Sequence, residues 1–592
     1  MHDLVVKGGT VVDGTGAVPF TADVAVRGGL IVEVGAVTGS ARQVIDADGA
    51  IVTPGWVDGH THYDGQVTWD DALEGSASNG VTTVVMGNCG VGFAPVPPDG
   101  VNELIDLMEG VEDIPGTALY EGMPWGSWES FPEYLAFLDS RRWAIDVGAQ
   151  LAHGALRYYV MGRRAIDDSN ATADDVSRMA RLAEEAVRAG AVGFSTSRIR
   201  AHRAMSGHCV PGTFAPEEEL WAIARGLVAG GGATFQVIPS GAIGDNPEFA
   251  PEQAPLAAEI QMFGRLSRDT GLQVVFSTMQ TNDNPQGWRD TLRVAAEENA
   301  LGSKLAPMVA PRAGTVLTTL AGYHLFMQRP TYLRLAHLPF EEMVVELRRP
   351  DVKAAILAEA DVIDDRPGSM QNLLPQVFAR SLALTFEMRE PLDYEPTMDQ
   401  SLASRAAAEG RDRLEYLYDF LLQDDGKAVG VYLGANYIDG NLDACRSMLL
   451  DPHTVSGLSD AGAHVSFICD MSNPTFHLTH WVRDRSRGDR LPIEAVVAKA
   501  TSRTAATFGL NDRGVVAVGK RADLNVVDLD NLTIQRPRLH RDLPAGGSRF
   551  LQPATGYVAT IAHGELIRDH DEDTGARPGR VARRSPSASV RV

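Results

Sequence analysis

The sequence predicts an α/β protein, a (β/α)8 TIM-type barrel with a small β-sandwich domain built from both chain termini. Three observations lead to this prediction. Strand and helix patterns alternate through the middle of the chain, both ends are rich in short β-type runs with Gly turns, and the 592 residues exceed the usual size of one domain. Strands that alternate with helices are typical of parallel βα units.

Both ends of the chain have the composition of a β domain. Residues 1–56 alternate short apolar β-type runs with Gly turns, and the same pattern returns in residues 510–570, for example at Ala522–Val527. We therefore expect 1–56 and 510–570 to form one small sandwich. Residues 571–592 are rich in Arg, Ser and Pro, which predicts a disordered tail.

Residues 57–509 are expected to form the barrel, with its first strand beginning a few residues earlier. The candidate strands are Ile51–Val57, Thr82–Met86, Ile145–Leu151, Val192–Thr196, Thr234–Ile238, Gln273–Ser277, Leu305–Val309 and Thr454–Leu458. Thr172 and Asp175 resemble a capping box that begins a helix, and Gly190 ends it. About 140 residues separate the last two strands, so we expect an insertion near 312–452 that holds extra helices and is a candidate lid.

The segment Pro54–His62 is the strongest candidate site. Residues i and i+2 at a strand end point to the same face, so His60 and His62 can converge on one cation. Imidazole is a strong ligand for Zn²⁺. A bare His-x-His is usually surface decoration, but an apolar strand and a Pro-Gly turn precede this one, which predicts a metal site.

The segment Gly457–His464 is the second candidate site. A carboxylate that ends the last strand faces the same pocket as the two histidines, where Asp460 would bind metal and move a proton between water and the leaving nitrogen. The alternative is a loop aspartate that caps a helix. His464 is interpreted as a partner of Asp460 or as a donor to the substrate.

These motifs resemble the amidohydrolase superfamily, and within it the N-acyl-D-amino-acid deacylase branch. The resemblance runs from Lys7–Gly9 to Gly519–Leu524, and the motifs around His60 and Asp460 are specific to the superfamily. The segments that look like the deacylase branch are Gly87–Gly90, His153–Arg157 and Gly193–Thr196. The resemblance implies that Cys89 is a thiolate metal ligand, whereas its alternative is a small apolar core residue.

The sequence departs from the deacylase branch at two metal ligands. Deacylases place a histidine after the fifth strand and another after the sixth, and here Gln236 and Gln280 stand at about those places. A neutral amide oxygen is a poor replacement for imidazole toward zinc. We therefore expect one tightly bound Zn²⁺, with other divalent metals as alternatives. The fourth strand, Val192–Thr196, also lacks the lysine that bridges two metals in hydantoinase-like relatives.

Several polar residues near the predicted strand ends are candidates for substrate binding. They are His153, Arg198, Arg200, His202, Gln236, Gln280 and His464. An arginine can bind a substrate carboxylate through two parallel hydrogen bonds, which favours Arg198, Arg200 or the nearby Arg203. The alternative is a solvated polar loop. His153 also fits a core histidine, and His202 or His208 could fold into the pocket as a metal ligand.

The sequence as a whole predicts a metal-dependent hydrolase that cleaves the amide bond of an N-acyl (D-)amino acid or a related acylated small molecule. The alternatives are a cyclic amide or imide hydrolase with a divergent mononuclear centre, and a degenerate barrel that binds a ligand without turnover. A net charge of −24 disfavours nucleic acid and anionic membranes as partners. The scattered cysteines and the strand-like start predict a cytoplasmic protein, and a homo-oligomer is compatible with the sequence.

Overall fold

The computed structural model describes residues 1–167, 169–242 and 256–585. Eight parallel strands form the predicted barrel, in the order of the chain. These strands are Trp56–Asp58, Val81–Met86, Asp146–Ala152, Gly193–Ser197, Thr234–Ile238, Val274–Ser277, Leu305–Val309 and Val455–Ser456. The barrel prediction is confirmed, and we number its strands from one to eight in this order.

The barrel closes just beyond the ends of its first and eighth strands. A parallel bridge between Thr61 and Ala461 joins them, and the His62 N–H donates to the Ala461 carbonyl at 2.8 Å. Inside the barrel, Val57, Val85 and Val275 belong to a buried apolar cluster. This closure sets the two loops that carry the candidate metal ligands side by side.

Helices surround the barrel and pack against the outer faces of its strands. They are Glu74–Ala77, Val101–Glu112, Gly116–Gly122, Phe131–Asp139, His153–Met161, Arg163–Ile166, Ala173–Ala189, Glu217–Ala229, Leu256–Thr270, Gly287–Ala300, Asp443–Leu450, Asn473–Phe476, Ile493–Ala498 and Thr504–Thr507. The predicted capping box of Thr172 and Asp175 is present, and Gly190 ends that helix. Among the described helices, none is long and apolar enough to cross a membrane.

A nine-stranded mixed sheet combines both ends of the described chain. Its strands are His2–Val11, Phe20–Arg27, Leu30–Gly35, Ala41–Asp46, Ile51–Pro54, Leu524–Val527, Tyr557–Ala562, Glu565–Asp569 and Glu572–Asp573. Two short hairpins lie in the same C-terminal part, Thr533–Ile534 with Ala554–Thr555 and Arg538–His540 with Arg549–Leu551.

The predicted strand Ile51–Val57 is divided between the two domains. Ile51–Pro54 pairs within the terminal sheet, and Trp56–Asp58 is the first barrel strand. Gly55 lies between them, where an added Cβ would come within 2.2 Å of the Thr82 side chain. The Pro-Gly step therefore lets the chain pass from one sheet to the next in close contact with the barrel.

The prediction of a disordered tail is wrong for residues 571–585, which pack along the barrel. Trp143 bridges Gly579, and Val147 bridges Val581. Val581 and Ala582 are buried, and Ala582 joins the apolar cluster inside the barrel. The polar composition misled the prediction because these two small apolar residues cover the open end of the barrel, while neighbouring arginines pair with acidic side chains. Residues 586–592 lie outside the described residues.

The segment near 312–452 contains a small subdomain with its own apolar core. Its three antiparallel strands are Gly314–Thr318, Thr385–Glu387 and Gly430–Ala435. Its helices are Pro330–Leu335, Phe340–Leu347, Pro350–Ala358, Met370–Ser381, Leu402–Ala408, Arg413–Leu421 and Gln423–Gly426. Tyr323 donates to Asp113 Oδ1 at 2.8 Å, so this subdomain contacts the end of helix Val101–Glu112.

Candidate metal centre

Four side chains that could bind metal converge at the C-terminal ends of the barrel strands. His60 and His62 are both buried, and their Nε2 atoms point into one space. The Cys89 Sγ atom lies 3.5 Å from His60 Nε2 and 3.8 Å from His62 Nε2. On another side, Asp460 Oδ1 lies 3.3 Å from His60 Nε2 and 3.8 Å from His62 Nε2.

These distances fit the ligands of a transition metal ion. Zinc binds nitrogen, oxygen and sulfur at about 2.0 to 2.3 Å, so neighbouring ligands of a tetrahedral ion lie about 3.3 to 3.8 Å apart. The two histidines have this spacing both to Cys89 and to Asp460. Imidazole and thiolate are ligands that favour zinc over magnesium or calcium. The donor set therefore fits a zinc-like divalent cation.

The loop after the second strand is shaped to present Cys89. This residue has a φ of +55°, and Gly87 and Gly90 beside it also have positive φ. A Cβ on Gly87 would come within 2.5 Å of the Gln150 carbonyl oxygen, so the loop packs too closely for a side chain there. Asn88 Nδ2 donates to the Thr61 carbonyl at 3.0 Å, which ties this loop to the His-x-His segment.

Asp58 links the two loops that carry the histidines and Asp460. Its Oδ1 atom accepts a hydrogen bond from the His60 backbone N–H at 3.1 Å, and the Ser459 side chain lies near enough to lower the pKa of its carboxylate. Asp460 has a φ of +48° in the turn after the eighth strand, and its N–H donates to the His60 carbonyl at 3.3 Å. These contacts fix the carboxylate opposite the histidines.

The centre is rich in acidic groups, most of them buried and Asp460 half-buried. Burial raises the pKa of Asp58 to about 6, of Asp64 to about 7 and of Asp460 to about 8. Burial also raises the pKa values of Cys89 and Glu112 well above their usual values. Within the described residues, no Lys or Arg side chain is among the main causes that shift the pKa values of these five groups. A cation at the histidines would supply the missing positive charge and favour the ionised forms.

The histidines of the centre are held neutral. Burial lowers the pKa of His60 to about 3 and shifts the pKa of His62 in the same direction. A neutral imidazole has a free lone pair on one ring nitrogen, which is the form that binds metal.

Glu112 is a functional candidate that the sequence analysis missed. It is 1% exposed, with Oε1 3.4 Å from His62 Nδ1 and Oε2 3.4 Å from His464 Nε2. It lies one and two turns after Met108 and Leu104, on the buried face of its helix. The sequence did contain a signal for Glu112, because its spacing from Leu104 and Met108 places a carboxylate on the apolar face of the helix. A carboxylate there needs a partner inside the protein.

Comparison with known proteins is consistent with this geometry. A family model described as the amidohydrolase family matches residues 43–568. The chain belongs to the amidohydrolase family. This confirms the family that the motifs around His60 and Asp460 indicate.

Curated relatives of this amidohydrolase match it along nearly its whole length. It is 26% identical over 592 residues to a D-aminoacylase of Alcaligenes xylosoxydans xylosoxydans, with 98% of each chain covered. It is 28% identical over 591 residues to an N-acyl-D-glutamate deacylase of the same organism, with 99% of this chain and 97% of the relative covered. An uncharacterized Mycobacterium tuberculosis protein is 27% identical over 569 residues, with 90% and 85% covered.

Two solved structures resemble the amidohydrolase described here. A D-aminoacylase studied for its binuclear metal centre has a TM-score of 0.63 at 25% identity, with 99% of this chain and 100% of that chain covered. An N-acyl-D-glutamate deacylase from Bordetella bronchiseptica, complexed with zinc and a phosphonate inhibitor, has a TM-score of 0.62 at 24% identity, with 98% and 99% covered. The second likeness supports the fold alone.

Two other candidate substrate residues of this amidohydrolase are bonded inside the protein. His153 is fully buried, and its ring nitrogens are hydrogen-bonded to Thr196 Oγ1 and Glu219 Oε1, both at 2.9 Å. Gln280 Nε2 donates to Asp439 Oδ2 at 2.8 Å and its Oε1 accepts from the Ile438 N–H. The geometry favours the core-histidine alternative for His153 and a structural role for Gln280, because partners distant in sequence satisfy both side chains.

The arginine-rich loop after the fourth strand is anchored to the protein. Arg198 Nε donates to Glu259 Oε1, and its Nη1 donates to the Ala215 carbonyl at 3.0 Å. Arg203 Nη1 donates to the Gly207 carbonyl at 2.7 Å. The guanidinium of Arg200 lies over the Phe214 ring, 5.0 Å from its centre. The contacts of Arg198 and Arg203 indicate that these two residues hold the loop in place.

His202 and His208 occupy different places. His202 is hydrogen-bonded to Ser197 Oγ at 3.0 Å, and it lies near enough to His60 and His464 to lower their pKa values. Burial lowers the pKa of His202 itself to about 4. His208 instead lies 2.7 Å from Glu103 Oε1, in a separate half-buried cluster with Asp106. His202 thus borders the centre and His208 pairs elsewhere.

Polar side chains without hydrogen-bond partners lie at the fifth and sixth strands. Gln236 is buried in register between Ser195 and Val275, and its Oε1 has no partner within the described residues. The same is true of the Ser277 and Thr278 hydroxyls at the end of the sixth strand. Buried polar atoms of this kind need water or a ligand. The sequence analysis identified Gln236 but missed Ser277 and Thr278.

Proposed function

We propose that this amidohydrolase hydrolyses the amide bond of an N-acyl amino acid, or of a related acylated small molecule, with a metal-activated water. The observation that carries the proposal is the position of Asp460 Oδ1 3.3 Å from His60 Nε2, at the C-terminal face of the barrel. Active sites of TIM barrels lie at that face. The names of the relatives, D-aminoacylase and N-acyl-D-glutamate deacylase, support an acylated amino acid as the substrate class.

His60, His62 and Asp460 are the proposed holders of one tightly bound Zn²⁺, with Cys89 beside them. When bound, such an ion lowers the pKa of its water to about 7 and polarises a carbonyl oxygen. The neutral imidazoles of His60 and His62 contribute lone pairs. The Asp460 carboxylate and the Cys89 thiolate contribute the negative charge that compensates the ion.

Asp460 is the proposed acid–base group. Its side chain is 25% exposed, whereas the two histidine side chains are at most 2% exposed, so substrate and water can reach this carboxylate. Asp460 accepts the proton of the attacking water and then donates it to the departing amine nitrogen. A carboxylate fixed at 3.3 Å from a metal-binding nitrogen is close enough to do both.

The substrate pocket is proposed to lie on the side of His202, Gln236 and His464. His202 borders the centre, and the buried Gln236 Oε1 and His464 Nδ1 have no hydrogen-bond partner within the described residues. A substrate amide or acyl group could satisfy those atoms. Recognition of a substrate carboxylate by Arg198, Arg200 or Arg203 stays a proposal, which single Lys variants test because Lys cannot reproduce the bidentate geometry.

The cellular location is also a proposal. All four cysteines of the chain are free thiols, and free thiols are typical of proteins in a reducing compartment. These features support the cytoplasm.

The decisive experiment is an activity screen with matched metal states. Zinc-loaded and chelator-treated protein are incubated with N-acyl-D- and N-acyl-L-amino acids and with cyclic amides and imides, and released amine or carboxylate is measured. We expect amine release from at least one N-acyl amino acid, dependent on zinc and absent in Asp460→Asn. Turnover of cyclic substrates alone favours the cyclic amidase alternative. Ligand binding without turnover in any metal state favours the non-catalytic barrel.

A further inference from the structure

We infer that Glu112 is a positioning residue that holds His62 and His464 in fixed tautomers on opposite sides of the barrel closure. The inference rests on the proposed function, because it concerns the residues that would hold the metal. It assigns a role to a carboxylate outside the motifs at the strand ends.

The first step concerns His62. Its Nε2 atom is the nitrogen that faces Cys89 and Asp460, at 3.8 Å from each. A metal-binding nitrogen must carry a free lone pair, so the ring proton belongs on Nδ1. The Glu112 Oε1 atom lies 3.4 Å from that Nδ1, and within the described residues neither atom has a hydrogen-bond partner, so the carboxylate is placed to accept the proton of Nδ1. A carboxylate beside the distal nitrogen of a metal-binding histidine fixes its tautomer and raises its basicity.

The second step concerns His464. Its Nε2 lies 3.4 Å from the other oxygen of the same carboxylate, and its backbone N–H donates to the Glu112 carbonyl. The backbone of Glu112 therefore holds this histidine, and its carboxylate lies beside the ring. With the proton on Nε2, the Nδ1 atom keeps its lone pair, and it has no partner within the described residues.

The third step concerns the place of Glu112 in the fold. His62 follows the first strand and His464 follows the eighth, and the chain segments after these strands meet through the bridge of Thr61 with Ala461 and the hydrogen bond from the Asp460 N–H to the His60 carbonyl. One buried carboxylate thus lies beside residues from both sides of the barrel closure. Asp460 lies in the same turn as His464, so this connection also fixes Asp460 relative to the histidines.

Substitutions at Glu112 separate geometry from charge. Glu112→Gln keeps the shape but offers one oxygen and one NH2 group, so the NH2 group faces one of the two imidazole N–H groups. Glu112→Asp keeps the charge but is one methylene shorter, so it cannot reach both rings. The matched control is Glu109→Gln, on the same helix, whose carboxylate lies 3.9 Å from Arg366 and contacts neither histidine.

The test measures the zinc dissociation constant of full-length apoprotein by competition with a chromogenic chelator, without substrate. We expect Glu112→Gln and Glu112→Asp each to bind zinc about 10- to 100-fold more weakly. Glu109→Gln should stay within twofold of the parent protein. Melting temperatures of the apoproteins are compared in parallel, and Glu112→Asp, which keeps the charge, decides the test if Glu112→Gln does not fold.

His464→Gln completes the design. It should retain zinc affinity within about threefold and lower kcat, because His464 lies beside the Glu112 carboxylate and is not one of the residues that would hold the ion. Parent-like zinc affinity in both Glu112 variants overturns the inference, and weak binding only in Glu112→Gln shows a charge effect without positioning, which also overturns it. If the Glu112 variants bind zinc more weakly but the parent protein cleaves no amide, the proposed function is overturned and the inference about Glu112 stands.

Discussion

Asp460 Oδ1 lies 3.3 Å from His60 Nε2, across the closure where the first and eighth barrel strands meet. The contact depends on backbone pairing, because Asp460 N–H donates to the His60 carbonyl and the adjacent Thr61 bridges Ala461. Asp58 adds a second link, since it accepts a hydrogen bond from the His60 N–H and lies close to the Ser459 side chain. Barrel closure therefore brings the candidate metal ligands of the two strands together.

The first prediction concerns proton transfer by Asp460. Asparagine keeps one carbonyl oxygen near the histidines but cannot accept a proton. We expect Asp460→Asn to retain most of its zinc and to lose about 10² to 10⁴ in kcat. Zinc content by elemental analysis and steady-state kinetics check this together. A variant with normal kcat would exclude Asp460 as the acid–base group.

The second prediction concerns the two histidines. We expect His60→Ala combined with His62→Ala to lose tightly bound zinc and activity while the far-ultraviolet circular dichroism spectrum is preserved, because both rings face the centre. The matched control is His153→Gln, a buried histidine whose ring bonds Thr196 and Glu219 instead. That control should lower thermal stability but keep zinc. Full zinc occupancy in the double variant contradicts the assignment.

Local sequence signals were sufficient for the barrel and for placing His60, His62 and Asp460 in the candidate centre. Periodicity identified the strands because each is a short buried run between turns, and His60 and His62 are adjacent in sequence to the strand that orients them. Asp460 could be identified because it follows a strand directly. The one strand expected at Ile51–Val57 was divided because the Pro-Gly step joins two sheets, which periodicity alone does not distinguish.

Contacts between distant segments were the part that the sequence did not reveal. Gln280 pairs with Asp439 and Arg198 with Glu259, so two residues expected at the substrate belong to structural contacts. Glu112 lies on a helix in a connecting segment, and only the folded chain shows that it reaches His62. Pairing partners of polar residues cannot be predicted from local spacing, because they come from other elements of the barrel.

The third prediction concerns the C-terminal segment against the barrel. Ala582 is 2% exposed within the apolar cluster inside the barrel. An aspartate there must either bury an unpaired carboxylate or release the segment, so Ala582→Asp should lower the free energy of unfolding by about 2 to 4 kcal/mol. Urea denaturation measures this loss. Ala576→Asp, at a half-buried position of the same segment, should cost less than half as much, and equal losses contradict the proposed packing.

The fourth prediction concerns the pair of His208 and Glu103, 2.7 Å apart. Although burial lowers it, the pKa of His208 is raised overall by the hydrogen bond and charge of Glu103. When the pKa of a histidine is higher in the folded state, its protonation stabilises the folded protein. This contribution is complete at a pH below the pKa of the unfolded state, about 6.5, and it disappears as the pH rises through the pKa of the folded state.

His208→Gln should therefore lower the free energy of unfolding by up to about 1 kcal/mol at acidic pH, and the difference should approach zero at alkaline pH. Urea denaturation across this pH range, with chelator present, measures the effect. Glu103→Gln is expected to show the same pH window. A loss that is independent of pH would show that the pair contributes packing rather than charge.

The last prediction concerns the number of metal ions. A second ion beside Cys89 needs its own ligands, and within the described residues Gln236 and Gln280, at about the places of the two missing histidines, offer only neutral oxygens. Gln280 is bonded to Asp439, and Gln236 and Thr278 provide an amide and a hydroxyl. Such groups hold zinc weakly compared with imidazole. We therefore expect one zinc per chain after extensive dialysis.

Elemental analysis and anomalous diffraction at the zinc edge decide between one ion and two. Cys89→Ser should keep the single ion with reduced affinity, because His60, His62 and Asp460 still surround it. The combined histidine variant should retain none. His202 is the residue that could reverse this expectation, since it borders the centre and carries a neutral imidazole. Two fully occupied ions would falsify the mononuclear centre if one of them is retained without His60 and His62. Loss of that ion in His202→Ala would identify His202 as the ligand that the sequence analysis left open.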